Sequence, residues 1–183
     1  MRDRTTLVER LDALEREAQS LRAQLVSEEA PATGLGLGVV QVRVGTTTAC
    51  FPLAAVDEVV PMADLTPLPE APPWIPGVLD RAGVLIPVVD LLARLQRVAR
   101  QTELDDRIVL TRVEGRRVGF VVQELLGIRQ VTGEALQPAP AHSDFARYVT
   151  GLVPLEDGHS PLLSPTLLLF VSQVPSLPAS EGR

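Results

Sequence analysis

The sequence predicts a mainly β protein: two small barrels of about five short strands each, short helices, and an added N-terminal α-helix. Three observations carry this reading. Short apolar runs bounded by turn residues recur through the middle of the chain, one set of motifs occurs twice in the same order, and a row of leucines at heptad spacing precedes the body.

The bulk numbers set the frame. The 183 residues suffice for one compact domain or two small subdomains, and 45% are hydrophobic. No apolar run approaches the length of a bilayer span, and the N-terminus leads into alternating charge rather than a signal core, so a cytoplasmic protein without direct membrane insertion is expected. A net charge of -6 and 3% aromatics argue against nucleic acid as a partner. Every basic residue is arginine. Cys50 is the single cysteine, which excludes an internal disulfide and points to a buried structural thiol.

At the N-terminus, Leu7, Leu11, Leu14, Ala18, Leu21 and Leu25 alternate steps of four and three, the seam of a coiled coil, with Glu and Arg on the other faces. Residues 1–28 are therefore expected as an amphipathic or coiled-coil helix that could self-associate. Residues 29–37, with Pro31 and alternating Gly and Leu, read as a linker. The body spans 38–172, divided near residue 100, and the tail 173–183 reads as disordered.

Within the body, Val39–Val44, Thr48–Leu53 and Val56–Pro61 read as strands. The stretch Pro67–Leu91 opens with a proline-fixed extended segment that cannot be helix. It continues with Gly77–Leu79 and Val84–Val89 as strands around a turn at Asp80–Gly83. Asp90 then offers a side-chain cap to a helix over residues 90–100.

The pattern then repeats. Arg43-Val44 stands before Phe51 as Arg112-Val113 stands before Phe120. Gly77-Val78-Leu79 and Pro87-Val88-Val89 return at one constant offset as Gly151-Leu152-Val153 and Pro161-Leu162-Leu163, and Asp90 corresponds to Ser164, another good cap, with Pro165 next. The body is an internal duplication, two modules each closed by a helix, and small closed barrels are its natural architecture because closure removes exposed edges.

Nothing here reads as catalytic, cofactor-binding or metal-binding. His142-Ser143-Asp144 is a polar loop, since triads assemble in space rather than along the chain. Glu156-Asp157-Gly158-His159 lacks a second imidazole or thiol at ligand spacing.

The runs Phe51–Val60, Pro67–Leu91, Val118–Val122 and Tyr148–Gly151 resemble successive blocks of CheW, the coupling protein of bacterial chemosensory arrays. The resemblance covers about residues 38–172 and implies two intertwined SH3-like five-stranded barrels. It further implies an adaptor without enzymatic activity, joining the signalling tip of a methyl-accepting chemoreceptor to the regulatory domain of a CheA-type histidine kinase. The receptor would lie in a groove between the barrels, and the kinase, itself CheW-like there, would meet barrel ends. Carried over by position, Val56, Glu58 and Val60, with Val122 and Leu125, fall at the groove, and Gly77, Asp80, Arg81 and Ala82 at the hairpin between the partners. Two alternatives stand beside this: a relative binding one partner only and oligomerising through its N-terminal helix, and a regulatory barrel of an enzyme complex or hydrolase.

Three departures from the family pattern matter. Ala82 occupies the usual arginine position of the hairpin and Arg81 stands one residue earlier, a shift expected to aim it elsewhere and leave Glu58 unpaired. Gln123 stands where aspartate is common, and Ser164 replaces the last aspartate, a benign change for a cap.

Overall fold

The structure, a computed structural model, describes residues 36–96, 100–132, 135–139, 146–155 and 158–170. The N-terminal seam, the His142-Ser143-Asp144 loop, Glu156-Asp157 and the C-terminal tail lie outside these residues.

Among the described residues, ten strands form two five-stranded sheets. In the first half these are β1 (Leu37–Val44), β2 (Thr47–Pro52), β3 (Val56–Pro61), β4 (Gly77–Arg81) and β5 (Val84–Asp90), followed by a helix at Leu91–Gln96. In the second they are β6 (Arg107–Val113), β7 (Arg116–Val122), β8 (Glu124–Val131), β9 (Val149–Leu155) and β10 (Gly158–Leu163), followed by a helix at Pro165–Phe170. The duplication is thus complete, element for element.

The two halves do not fold side by side. One sheet runs β8-β1-β2-β10-β9 and the other β3-β6-β7-β5-β4. Each half keeps its first hairpin in one sheet and sends its last three strands to the other. The joining pairs are parallel and repeat-equivalent: Leu162 opposite Cys50, and Val88 opposite Gly119. Because an edge left by one half is closed by the other, neither half can complete its sheet alone.

The same hydrogen bonds recur in both halves. The Asp90 N–H donates to the Trp74 carbonyl at 2.9 Å, and the Ser164 N–H to the Tyr148 carbonyl at 2.9 Å. Thr66 exchanges backbone bonds with Val78 as Gln137 does with Leu152. The expected caps form: the Ala93 N–H donates to Asp90 Oδ1 at 2.9 Å and the Leu167 N–H to Ser164 Oγ at 3.3 Å.

A central core joins both sheets, packing Phe51 against Phe120 with ring centroids 5.5 Å apart, among Val42, Val89, Leu91, Val109, Val122 and Leu163. Each barrel also has its own interior. That of the β3-β6-β7-β5-β4 sheet holds Val60, Leu79, Ile86, Val88, Ile108 and Leu110; that of the other holds Leu37, Val39, Cys50, Val153 and Leu162.

Two buried charged groups tie the halves together. Arg94 is fully enclosed, its guanidinium carbon 4.2 Å from the Trp74 ring centroid and 5.1 Å from that of Tyr148, and its Nε donates to the Leu168 carbonyl at 2.8 Å. Burial lowers its pKa from the ordinary guanidinium value, against the opposing effect of Tyr148. Arg100 bridges two buried carboxylates, with Nε 3.1 Å from Asp90 Oδ2 and Nη2 2.8 Å from Asp106 Oδ2. The Nε contact closes the charge gap without hydrogen-bond alignment, and burial raises the Asp90 pKa above the usual carboxylate value. Asp106 is better satisfied, since its Oδ2 also accepts the Glu103 N–H at 2.8 Å.

Candidate docking surfaces

Strand β4 extends through Arg81, so the expected four-residue turn contracts to Ala82-Gly83, with φ of 54° and 81°. Two successive positive φ values define a type I′ turn, the geometry that suits a twisted hairpin. Asp80 Oδ1 braces it by accepting the Gly83 N–H at 2.8 Å. Gly77, at the other end of β4, lies so close beneath the Thr66 carbonyl that a Cβ would strike it; this residue shapes the strand entry and presents no side chain.

The longer strand overturns the expectation for Arg81. As the last residue of β4, opposite Val84, it reaches β3, where its Nη2 lies 2.7 Å from Glu58 Oε2. Glu58 therefore has its arginine, supplied one position earlier than the family pattern places it. Asp80, Arg81 and Ala82 are exposed and Glu58 half-buried, so the pair is open to a partner. Val56 is half-buried beside it on β3, an edge strand.

Two predicted contact residues are core. Val122 is fully enclosed against Phe51 and Phe120, and Val60 is buried with Ile86 and Ile108. Alternation along a strand identifies an apolar face without saying which side of the sheet is wet. Neither side chain can serve as an anchor for a partner.

Strand β8 is the repeat-equivalent edge of the other sheet. Leu125 is 41% exposed there, beside the exposed Leu126 and Ile128, the latter 61% exposed. The register against β1 shifts between Leu125 and Gly127, and the β3–β6 register shifts at the corresponding place between Val56 and Glu58. Each bulge turns its edge strand and breaks simple alternation. Gln123 ties β8 to the β1–β2 hairpin: its Oε1 accepts the Gly45 N–H at 2.9 Å and its N–H donates to the Arg43 carbonyl at 3.1 Å. A carboxylate oxygen could fill the same acceptor position, which makes the change at 123 mild.

A third surface lies at the open end of the β3-β6-β7-β5-β4 barrel. Val84, 53% exposed, and Leu85, 65% exposed, border a concavity of about 980 Å³ walled by Arg112, Arg116 and Arg117 of the β6–β7 hairpin. Asp57 holds two of these arginines, with Oδ2 3.0 Å from Arg112 Nη2 and 3.2 Å from Arg117 Nε.

Exposed aliphatics on sheet edges and a barrel end, framed by ion pairs, define a protein that works by contact. That class is a scaffold. The chain belongs to the CheW family: the CheW-like domain matches residues 38–174. It is 32% identical to the chemotaxis protein CheW of Rhizobium meliloti over 68% of this chain and 81% of that protein. It is 26% identical to CheW of Thermotoga maritima, over 63% and 76% of the respective chains. Protein FrzA of Myxococcus xanthus is 31% identical over 61% of this chain and 70% of its own length. In fold, the chain superposes on the crystal structure of the scaffolding protein TtCheW from Thermoanaerobacter tengcongensis with a TM-score of 0.69 and 23% identity, over 78% of this chain and 92% of that one. The protein is accordingly a chemosensory adaptor, of the family that couples chemoreceptors to CheA.

Proposed function

We propose that the adaptor takes a chemoreceptor signalling tip along its β3 and β8 edges and a CheA-type kinase regulatory domain at a barrel end, with no chemical step of its own. The observation that carries this is the Glu58–Arg81 pair. An ion pair between the edge strands β3 and β4, half-buried at Glu58 and exposed at Arg81, beside Val56 and the exposed turn at Asp80 and Ala82, suits recognition of an amphipathic helix by aliphatic contacts with charges at the rim. Leu125, with Leu126 and Ile128, supplies the corresponding aliphatic wall on the second sheet. Val84 and Leu85 suit the kinase domain, whose own surface is of the same barrel type.

The setting is cytoplasmic, at the arrays where receptors cluster. No described helix is long and apolar enough to cross a membrane. The heptad row from Leu7 to Leu25 supports self-association through the N-terminal segment. A pull-down of the full-length protein against a receptor tip and a kinase regulatory domain tests the assignment. Capture of both is expected; capture of neither defeats it, and capture of one only supports the single-partner alternative.

A further inference from the structure

The duplication exposes a difference between the two barrel interiors. In the β3-β6-β7-β5-β4 barrel, Val60, Ile86 and Leu110 are buried together and fill the interior with aliphatic side chains. Strand register fixes their counterparts in the other barrel. Leu110, opposite Gly119, corresponds to Gln41, opposite Cys50. Ile86, opposite Leu79, corresponds to Ser160, opposite Val153. Val60, opposite Ile108, corresponds to Arg129, opposite Val39. Three aliphatic groups in one barrel are thus an amide, a hydroxyl and a guanidinium in the other. The first barrel shows that the fold itself has no need of these polar groups.

Where they stand, a hollow of about 460 Å³ opens. Gln41 and Ser160 line it as buried residues, and Arg129 and His159 line it as exposed ones, with the threonine run 46–48 alongside. The Ser160 hydroxyl is satisfied, donating to the Thr48 carbonyl at 3.1 Å. Gln41 is not: it is only 6% exposed, yet no group among the described residues hydrogen-bonds its side-chain amide. A buried amide without a partner is costly, and one that faces a cavity is poised for a ligand. Arg129 lies near enough to the interior to lower the thiol pKa of Cys50 against the larger effect of burial. It already has an interaction of its own, but a guanidinium carries five donors and can serve more than one acceptor.

We infer that this hollow is a binding site for a small phosphorylated and hydroxylated molecule, of the sugar phosphate class. Among the described residues its lining includes a guanidinium and an imidazole and no carboxylate, which suits an oxyanion. The amide of Gln41 and the hydroxyls of Thr46, Thr47 and Thr48 each donate and accept, which suits the hydroxyl groups of a ligand body. The volume lies in the usual range for small-molecule sites and exceeds what a lone phosphate would fill. In the other barrel Gly115, Arg116 and Arg117 replace the threonines and aliphatic side chains replace the buried polar groups, so the site belongs to one barrel only. It is separate from the receptor and kinase contacts and does not depend on them.

Calorimetric titration of the full-length protein at fixed ionic strength, with ribose 5-phosphate, inorganic phosphate and ribose as separate probes, tests this. Ribose 5-phosphate should bind more tightly than either of the others. Arg129→Gln should weaken it at least tenfold, and Gln41→Leu, which installs the side chain of the other repeat, should weaken it as well. Arg107→Gln, an arginine exchange on the other sheet, should leave binding unchanged. Circular dichroism checks that the variants fold, and Arg129 is exposed, so its exchange leaves the core intact. Wild-type protein that takes up no ribose 5-phosphate at millimolar concentration overturns the site. Equal affinity for inorganic phosphate overturns the ligand class, and equal weakening by Arg129→Gln and Arg107→Gln overturns the location, since general charge attraction would then account for the binding.

Discussion

Arg94 donates its Nε–H to the carbonyl of Leu168, its own counterpart in the second repeat, across 2.8 Å. The two aromatic rings against its guanidinium, Trp74 and Tyr148, are likewise counterparts. One helix thus supplies a cation where the other supplies a carbonyl, so this contact breaks the duplication at the point where the halves meet. Replacing Arg94 with Met keeps the aliphatic stem but removes the donor and the cation. The Leu168 carbonyl loses that donor, at about 1–3 kcal/mol, and two cation–π contacts go, at about 0.5–2 kcal/mol. Arg94→Met should therefore cost about 2–4 kcal/mol in urea unfolding. A loss below about 0.5 kcal/mol would show that the sandwich is packing alone.

Cys50 gives a pH dependence of stability. Burial pushes its thiol up to about 11, against smaller lowering effects of the Ser160 hydroxyl and Arg129. The folded pKa lies above the unfolded value, so the neutral thiol's contribution is whole below about pH 9 and is lost as pH rises through about 11. Two units correspond to about 2–3 kcal/mol at the alkaline limit. The chain has no lysine and a single tyrosine, so the difference between wild type and Cys50→Ala isolates this titration. Urea melts at pH 8 and 11 should show wild type losing more stability than the alanine variant. In the native state at pH 8, Cys50 should also resist thiol reagents until the protein unfolds.

How far the sequence disclosed this molecule depended on whether the governing interaction was local. Asp90 and Ser164 were readable as caps because capping involves a side chain and a backbone N–H three residues away. The duplication was readable from the recurring blocks. The pairing of Cys50 with Leu162 and of Gly119 with Val88 was not, because apolar alternation marks a strand without naming its neighbour. The burial of Arg94 gave one signal that a reader could have used: Trp74 and Tyr148 occupy the same place in the two repeats. Val60 and Val122 lie on apolar strand faces that turn inward and do not reach the surface, whereas the exposure of Leu126 and Ile128 is hidden in the sequence because a bulge interrupts the alternation of β8.

The hairpin that carries Arg81 is strained at Ala82, whose φ of 54° suits asparagine or glycine better than alanine. Ala82→Asn should stabilise the protein by about 0.5–1 kcal/mol by relieving this cost, with its side chain in solvent. The effect is read as a higher denaturation midpoint at unchanged m-value. A lower midpoint would mean that the turn relaxes in solution to a conformation that suits alanine.

The same hairpin separates stability from recognition. Arg81 and Glu58 lie 2.7 Å apart but largely in solvent, where such a pair contributes about 0–1 kcal/mol to folding. Reversing one charge should thus leave the melting temperature within a few degrees of wild type. Binding should respond differently, because a charge at the rim of an interface faces the partner as well as its neighbour. Glu58→Arg is expected to weaken capture of a receptor tip at least tenfold, and the double exchange Glu58→Arg with Arg81→Glu to regain part of that loss if the pair acts as a unit. Full recovery would mean that the partner reads only the shape held by the ion pair. No recovery would mean that Glu58 contacts the partner directly, with Arg81 serving to orient it. Unchanged binding in the single variant would remove β3 from the receptor surface and leave the exposed aliphatics of β8 to carry it.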